Sequence, residues 1–293
     1  MKPDVATITK LQKLNIRMAI IHAISFLGIV IWYGVLTPSA RTLAKQQVTR
    51  NQIPGPGEDA DSNAPGKCNV NVNYASPKHM GSLNLIALVL VFFAITVAAH
   101  VWYAYSPTYL IELHKGWNPY RWLEYALSAS IMSAIVGITS GIRDISQLQE
   151  LVLLTAGMQG CGWIVERALQ KNDFSTVNVA TGIGWLLFVA LWFSILWNFF
   201  FLLTDVNTKY KNIDDANGKP IKVPGFVFFI VFFQLLQFAS FGVVQMYHVL
   251  QAKKGPVNYA SKIEPLYVNL SAIAKVGLAS GIGYGFLLRA NGC

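Results

Sequence analysis

The stretch Tyr267-Val268-Asn269-Leu270-Ser271-Ala272-Ile273-Ala274-Lys275-Val276-Gly277-Leu278 places an amine in the middle of an apolar segment. The run around it, from about 264 to 288, is long enough to cross a bilayer as a helix. A charge at the centre of such a helix costs about 2.5 to 3.5 kcal/mol on insertion scales, so Lys275 calls for a reason. It lies too deep to reach either surface by extending its stem. An amine held there is either a nucleophile toward a carbonyl or one half of a buried ion pair.

Six further apolar runs precede it, at about 14 to 36, 82 to 104, 120 to 142, 148 to 168, 179 to 204 and 225 to 250. Seven spans of about 22 residues would use roughly half of a chain of 293 residues. Only 13% of the residues are charged, against roughly 25% in ordinary soluble domains, and 54% are hydrophobic. The expected fold is an all-α, seven-transmembrane helix bundle forming a single domain over 1 to 293, with a long first loop at about 38 to 81. The first run follows Lys10, Lys13 and Arg17 in the manner of a signal peptide, but its apolar core is longer than a signal core of roughly 7 to 15 residues. A local hairpin around Cys68 to Tyr74 is one way to fill the first loop.

The net charge of +9 is spread through short segments between spans, which fits anionic lipid headgroups better than nucleic acid. With Arg41, Lys45, Arg50, Lys67 and Lys78 of the long first loop set aside, the remaining basic residues place the N-terminus in the cytoplasm and the C-terminus outside. Three cysteines build no disulfide framework; Cys161 lies in an apolar run, and a Cys68 to Cys293 bridge is the pairing left open.

The other deep charge is Glu124, in Arg121-Trp122-Leu123-Glu124-Tyr125-Ala126-Leu127-Ser128-Ala129-Ser130. Ser128 follows it by four residues and Ser271 precedes Lys275 by four, so each serine shares a helical face with its charge. If the third and seventh spans enter from the same side, the four residues can cluster. The residues alone leave two readings open, a structural ion pair in a transporter or receptor, and a covalent cofactor site. Enzymatic chemistry finds little support. There is no His-Glu-x-x-His pattern, no phosphate loop, and no metal-ligand spacing among His22, His79, His100, His114 and His248.

Glu124-Tyr125-Ala126-Leu127-Ser128-Ala129-Ser130, Ser271-Ala272-Ile273-Ala274-Lys275 and Phe238-Ala239-Ser240-Phe241 resemble the corresponding stretches of the heliorhodopsins, a family that includes viral members. The resemblance implies a light-absorbing photoreceptor with all-trans retinal attached to Lys275 as a Schiff base and Glu124 as its single counterion. Ser128 and Ser271 then hydrogen bond around the pair, and Tyr125, Ala129, Met132 and Phe238 touch the chromophore. His22 and His100 match the family's membrane-embedded histidines in a polar cavity near the counterion. The resemblance also implies a cytoplasmic N-terminus, a plasma-membrane location and a homodimer. Ser271 stands where pumping rhodopsins carry an acid, which argues against efficient pumping. Glu150, Glu166, Gln159, Gln234, Gln237, Gln245 and His248 are further polar groups for a passive, light-gated proton path, although helix-end solvation and interhelical hydrogen bonds are the plainer expectation for each.

Overall fold

A computed structural model describes residues 5–35, 44–50, 78–209 and 222–290. Seven long helices carry the fold among the described residues: α1 (Val5–Val35), α2 (Leu85–Tyr105), α4 (Pro119–Thr139), α5 (Ile145–Gln170), α6 (Phe174–Lys209), α7 (Gly225–Lys254) and α9 (Glu264–Ala290). Two short helices, α3 (Pro107–His114) and α8 (Tyr259–Lys262), lie between them. Each expected span falls on one long helix. Helices α1, α5, α6, α7 and α9 run past the expected limits at one end or both, whereas α2 begins at Leu85 and α4 ends at Thr139, each inside its expected limit.

Local chemistry sets the breaks. Pro107 and Pro119 have no N–H to donate, so a helix can begin at each but not pass through it unharmed. Ser106 and Asn118 precede them in extended conformations and cap α3 and α4 with their side chains. Asp144 caps α5 by accepting from the N–H groups of Ser146 and Gln147. Gly141, with φ of 96°, closes the turn after α4 in a conformation that other residues resist.

The helices pack as a closed ring in the order α1, α2, α4, α5, α6, α7, α9 and back to α1. Outward positions are apolar, including Ile20, Ile24, Leu27 and Ile31 on α1 and Leu186, Val189, Phe193 and Trp197 on α6. Inward positions hold both the apolar core and a set of buried polar residues. An apolar exterior around a partly polar interior is the arrangement that a bilayer requires. Six of the long helices are apolar enough to span. The remaining one, α5, carries Glu150, Glu166 and Arg167, and it completes the ring between α4 and α6.

The first loop contains structure that the apolar pattern does not reveal. Strands β1 (Lys45–Arg50) and β2 (Lys78–Asn84) pair antiparallel, with Lys45 opposite Asn84 and Arg50 opposite Lys78. The Thr49 N–H donates to the Arg143 carbonyl at 2.9 Å, which ties the sheet to the turn between α4 and α5. The hairpin expected around Cys68 to Tyr74 and the Cys68 to Cys293 pairing lie outside the described residues.

Candidate functional site

Lys275 sits at mid-length of α9 and is 2% exposed. Its Nζ donates to Glu124 Oε1 at 2.8 Å and to Ser271 Oγ at 2.8 Å. Helix α4 brings in Glu124, and Thr96 of α2 donates to the same carboxylate oxygen at 2.7 Å. Three of the four residues expected to cluster are therefore joined directly. Ser128 is close by and fully buried, but its Oγ has no hydrogen-bond partner among the described residues. Thr96 went unnoticed in the sequence. It lies four residues before His100 on the same face of α2, and that spacing was a usable signal.

Beside the pair is a hollow lined by Tyr125, Ser128, Ala129, Met132, Met158, Gln159, Phe238, Phe241, Ser271, Ala274 and Lys275. The residues expected to touch a chromophore thus share one cavity with the amine. Tyr125 presents its ring face 5.2 Å from Nζ and donates its hydroxyl to the Tyr267 carbonyl at 3.0 Å. Phe238 meets Trp192 edge to face at 5.6 Å. Met158, Gln159, Phe238 and Phe241 also line a second hollow that runs on between α5, α6 and α7 toward Trp122, Trp185 and Phe188. Gly162 and Gly242 keep this second hollow open to the indoles. A Cβ at Gly162 would collide with the Trp122 ring, and one at Gly242 would press on Trp185. An amine at one end and an aromatic-walled, apolar extension at the other suit a long, flat, apolar aldehyde.

His22 and His100 come together, their rings stacked at 5.6 Å. His100 Nδ1 is 2.9 Å from Asn15 Oδ1, whereas both ring nitrogens of His22 lack partners among the described residues.

The other polar candidates separate. Gln234 donates to the Ala274 carbonyl at 2.8 Å, and Gln245 accepts from the Tyr267 hydroxyl at 2.6 Å, as interhelical hydrogen bonding would have it. Glu150 is exposed. Glu166 differs from the helix-end solvation expected of it: it is fully buried and ion-paired with Arg121, which also pairs with Glu264. The short helices α3 and α8 cover this end of the bundle with Tyr109 and Tyr259, and so charges near helix ends are removed from water.

A closed ring of seven helices, with a buried lysine in the last of them facing a carboxylate and an apolar hollow, is the arrangement of a rhodopsin. The sequence model for heliorhodopsins matches residues 11–287, nearly the whole chain, and the chain belongs to the heliorhodopsin family. It is accordingly a retinal-binding, rhodopsin-like, multi-pass integral membrane protein. No curated protein matches the chain.

Proposed function

We propose that the protein is a photoreceptor in which all-trans retinal is bound covalently by Lys275 and Glu124 is the single counterion. The observation that carries this reading is the buried Lys275 Nζ, held 2.8 Å from Glu124 at the mouth of an apolar, aromatic-walled hollow. Lys275 would hold the group through Nζ, by condensation of the free amine with the aldehyde and loss of one water. Bound retinal supplies light absorption and isomerisation; the protein supplies shape and charge.

Glu124 holds a proton on the Lys275 nitrogen by supplying the adjacent negative charge. Ser271 and Thr96 fix the geometry of this pair, one from each side. Tyr125, Ala129, Met132 and Phe238 exclude water from the hollow and orient its occupant. The stacked His22 and His100 are candidate bases for a proton leaving the pair. With one carboxylate at the site and Ser271 opposite it, efficient pumping is not expected. A light-gated, passive proton conductance is compatible with the chain of polar groups from His100 through Asn15 to Tyr109. The N-terminus is assigned to the cytoplasm and the C-terminus to the outside of the plasma membrane, with a homodimer as the assembled form.

Expression with retinal should give a visible absorption band that Lys275→Ala abolishes completely, while Glu124→Gln shifts it strongly to the red or lowers the pH at which it is lost. A band that survives Lys275→Ala would refute the attachment site. A folded but colourless parent protein would favour a retinal-free ion pair. Under patch clamp, photocurrents whose reversal potential ignores the pH gradient would remove the proton conductance.

A further inference from the structure

At the end of the bundle where α1 begins, the Arg121 guanidinium of α4 faces two carboxylates, Glu166 of α5 and Glu264 of α9. All three side chains are at most 2% exposed. Taken as ionised, they leave one uncompensated negative charge in a site without water access, and such a charge is neutralised by binding a proton more readily than it is buried bare. Among the described residues, the surrounding groups supply no second cation in contact. Tyr259 of α8 accepts from Arg121 at 2.6 Å and donates to Glu166 at 2.9 Å. The guanidinium lies over the ring of Tyr267 of α9 at 3.9 Å. His248 of α7 is buried with Nδ1 unpartnered among the described residues and 4.0 Å from Glu166, beyond hydrogen-bond reach. This open, buried ring nitrogen beside Glu166 is a second sign that an exchangeable proton belongs here.

The two carboxylates are not equivalent. Glu166 receives a main-chain N–H from Asn118 at 3.2 Å, the Tyr259 hydroxyl and one arm of Arg121, whose other arm pairs with Glu264 Oε2. Glu264 Oε1 meets the amide of Asn118 at 2.8 Å and the hydroxyl of Tyr109 of α3 at 3.2 Å. A hydroxyl can reverse and accept; since the Asn15 amide donates to the Tyr109 oxygen at 3.3 Å, the reversal also turns that amide over so that its oxygen takes the Tyr109 proton. Beyond Tyr109 the hydrogen bonds continue to Asn15 at 3.3 Å and from there to His100 at 2.9 Å.

We propose that Glu166 and Glu264 bind one proton between them in the resting protein, carried on Glu264 and donated to Tyr109, as a proton store separate from the Lys275–Glu124 pair. The store rests on the charge count of these side chains and not on the retinal reading. It is therefore tested both with and without pigment, so that failure of one does not mask the other.

The measurement is infrared spectroscopy of the full-length protein in lipid, prepared with and without retinal, at about pH 7, where carboxyls in water are ionised. A carboxylic-acid C=O band that shifts in D2O is expected in the parent. It should be lost in Glu264→Gln and equally in Glu166→Gln, because either substitution leaves one carboxylate for one guanidinium. It should persist in Glu124→Gln and move without vanishing in Tyr109→Phe. Absence of the band in the parent, its survival in both glutamine variants, or its loss in Glu124→Gln alone would overturn the proposal. So would a nitrogen NMR signal of a charged imidazole that disappears in His248→Gln, since that would place the compensating charge on His248. If the glutamine variants fail to fold, Tyr109→Phe decides: an unmoved band overturns the assignment to Glu264.

Discussion

Lys275 with Glu124 and Arg121 with Glu166 and Glu264 are two buried ionic groups within one bundle, and they are built differently. The first sets one cation against one anion, with Ser271 and Thr96 as its hydroxyl partners and a hollow on its open side. The second sets one cation against two carboxyl groups and surrounds them with Tyr109, Asn118 and Tyr259. Lysine brings a single compact ammonium that can lose its proton and form a bond, whereas arginine brings a permanently charged fork able to hold two carboxylates at once. One group has a hollow beside it; the other is enclosed by side chains and leads on through the hydrogen bonds from Tyr109 to Asn15 and His100. Reactivity belongs with the first, and structural tethering of α4, α5 and α9 with the second.

The sharpest way to break this contrast is Arg121→Gln. Removing the cation strands two carboxylates in a site without water, and removing one partner of a buried pair costs about 3 to 5 kcal/mol. The expected result is a large fall in thermal stability of the purified protein, or no recovery of folded protein at all. Arg121→Lys should rescue little of it, because an ammonium cannot span both carboxylates as the fork does. A variant as stable as the parent would show that the cluster does not tether the helices.

How much of this was legible in the sequence follows from the same contrast. Lys275 and Glu124 stand out because each interrupts an apolar run near its middle, where nothing but a specific partner explains a charge. The seven spans are legible for the same reason. Arg121, Glu166 and Glu264 lie within a few residues of span ends, where charges ordinarily meet water, so the sequence offers no sign that they are buried. Their burial is a tertiary effect of α3 and α8, helices of 8 and 4 residues that no span-length pattern can detect. The β1–β2 pair escapes notice similarly, since Lys45–Arg50 and Lys78–Asn84 are polar strands in a polar loop and present no alternating apolar face.

A second test sharpens the picture of the reactive pair. Thr96→Val keeps the shape of the side chain and removes the donor to Glu124 Oε1. The carboxylate retains Lys275, so the cost should be roughly 1 kcal/mol, in line with single hydrogen bonds inside membranes. The charge of Glu124 then rests more fully on the Lys275 nitrogen, which stabilises the ground state of a bound pigment and moves its band to shorter wavelength. Thermal unfolding and the absorption spectrum measure the two effects. An unmoved spectrum would mean that Thr96 supports the fold without tuning the pair.

The smallest effect is expected at Ser128, and it discriminates between two residues that look alike in the sequence. Ser128 and Ser271 each lie one helical turn from their charge, yet Ser271 Oγ accepts from Lys275 while Ser128 Oγ has no partner among the described residues. A buried hydroxyl that makes no hydrogen bond contributes no stability, and its replacement by a methyl group leaves no unsatisfied neighbour. Ser128→Ala should therefore change stability by less than about 0.5 kcal/mol, within the range of neutral substitutions. Ser271→Ala should cost more, since it removes an acceptor from a buried ammonium. Because Ser128 lines the hollow beside Lys275, spectra of the pigmented variant extend the test. A band shift in Ser128→Ala as large as that in Ser271→Ala would mean that the hydroxyl gains a partner when pigment fills the hollow, and the two serines would then be equals after all.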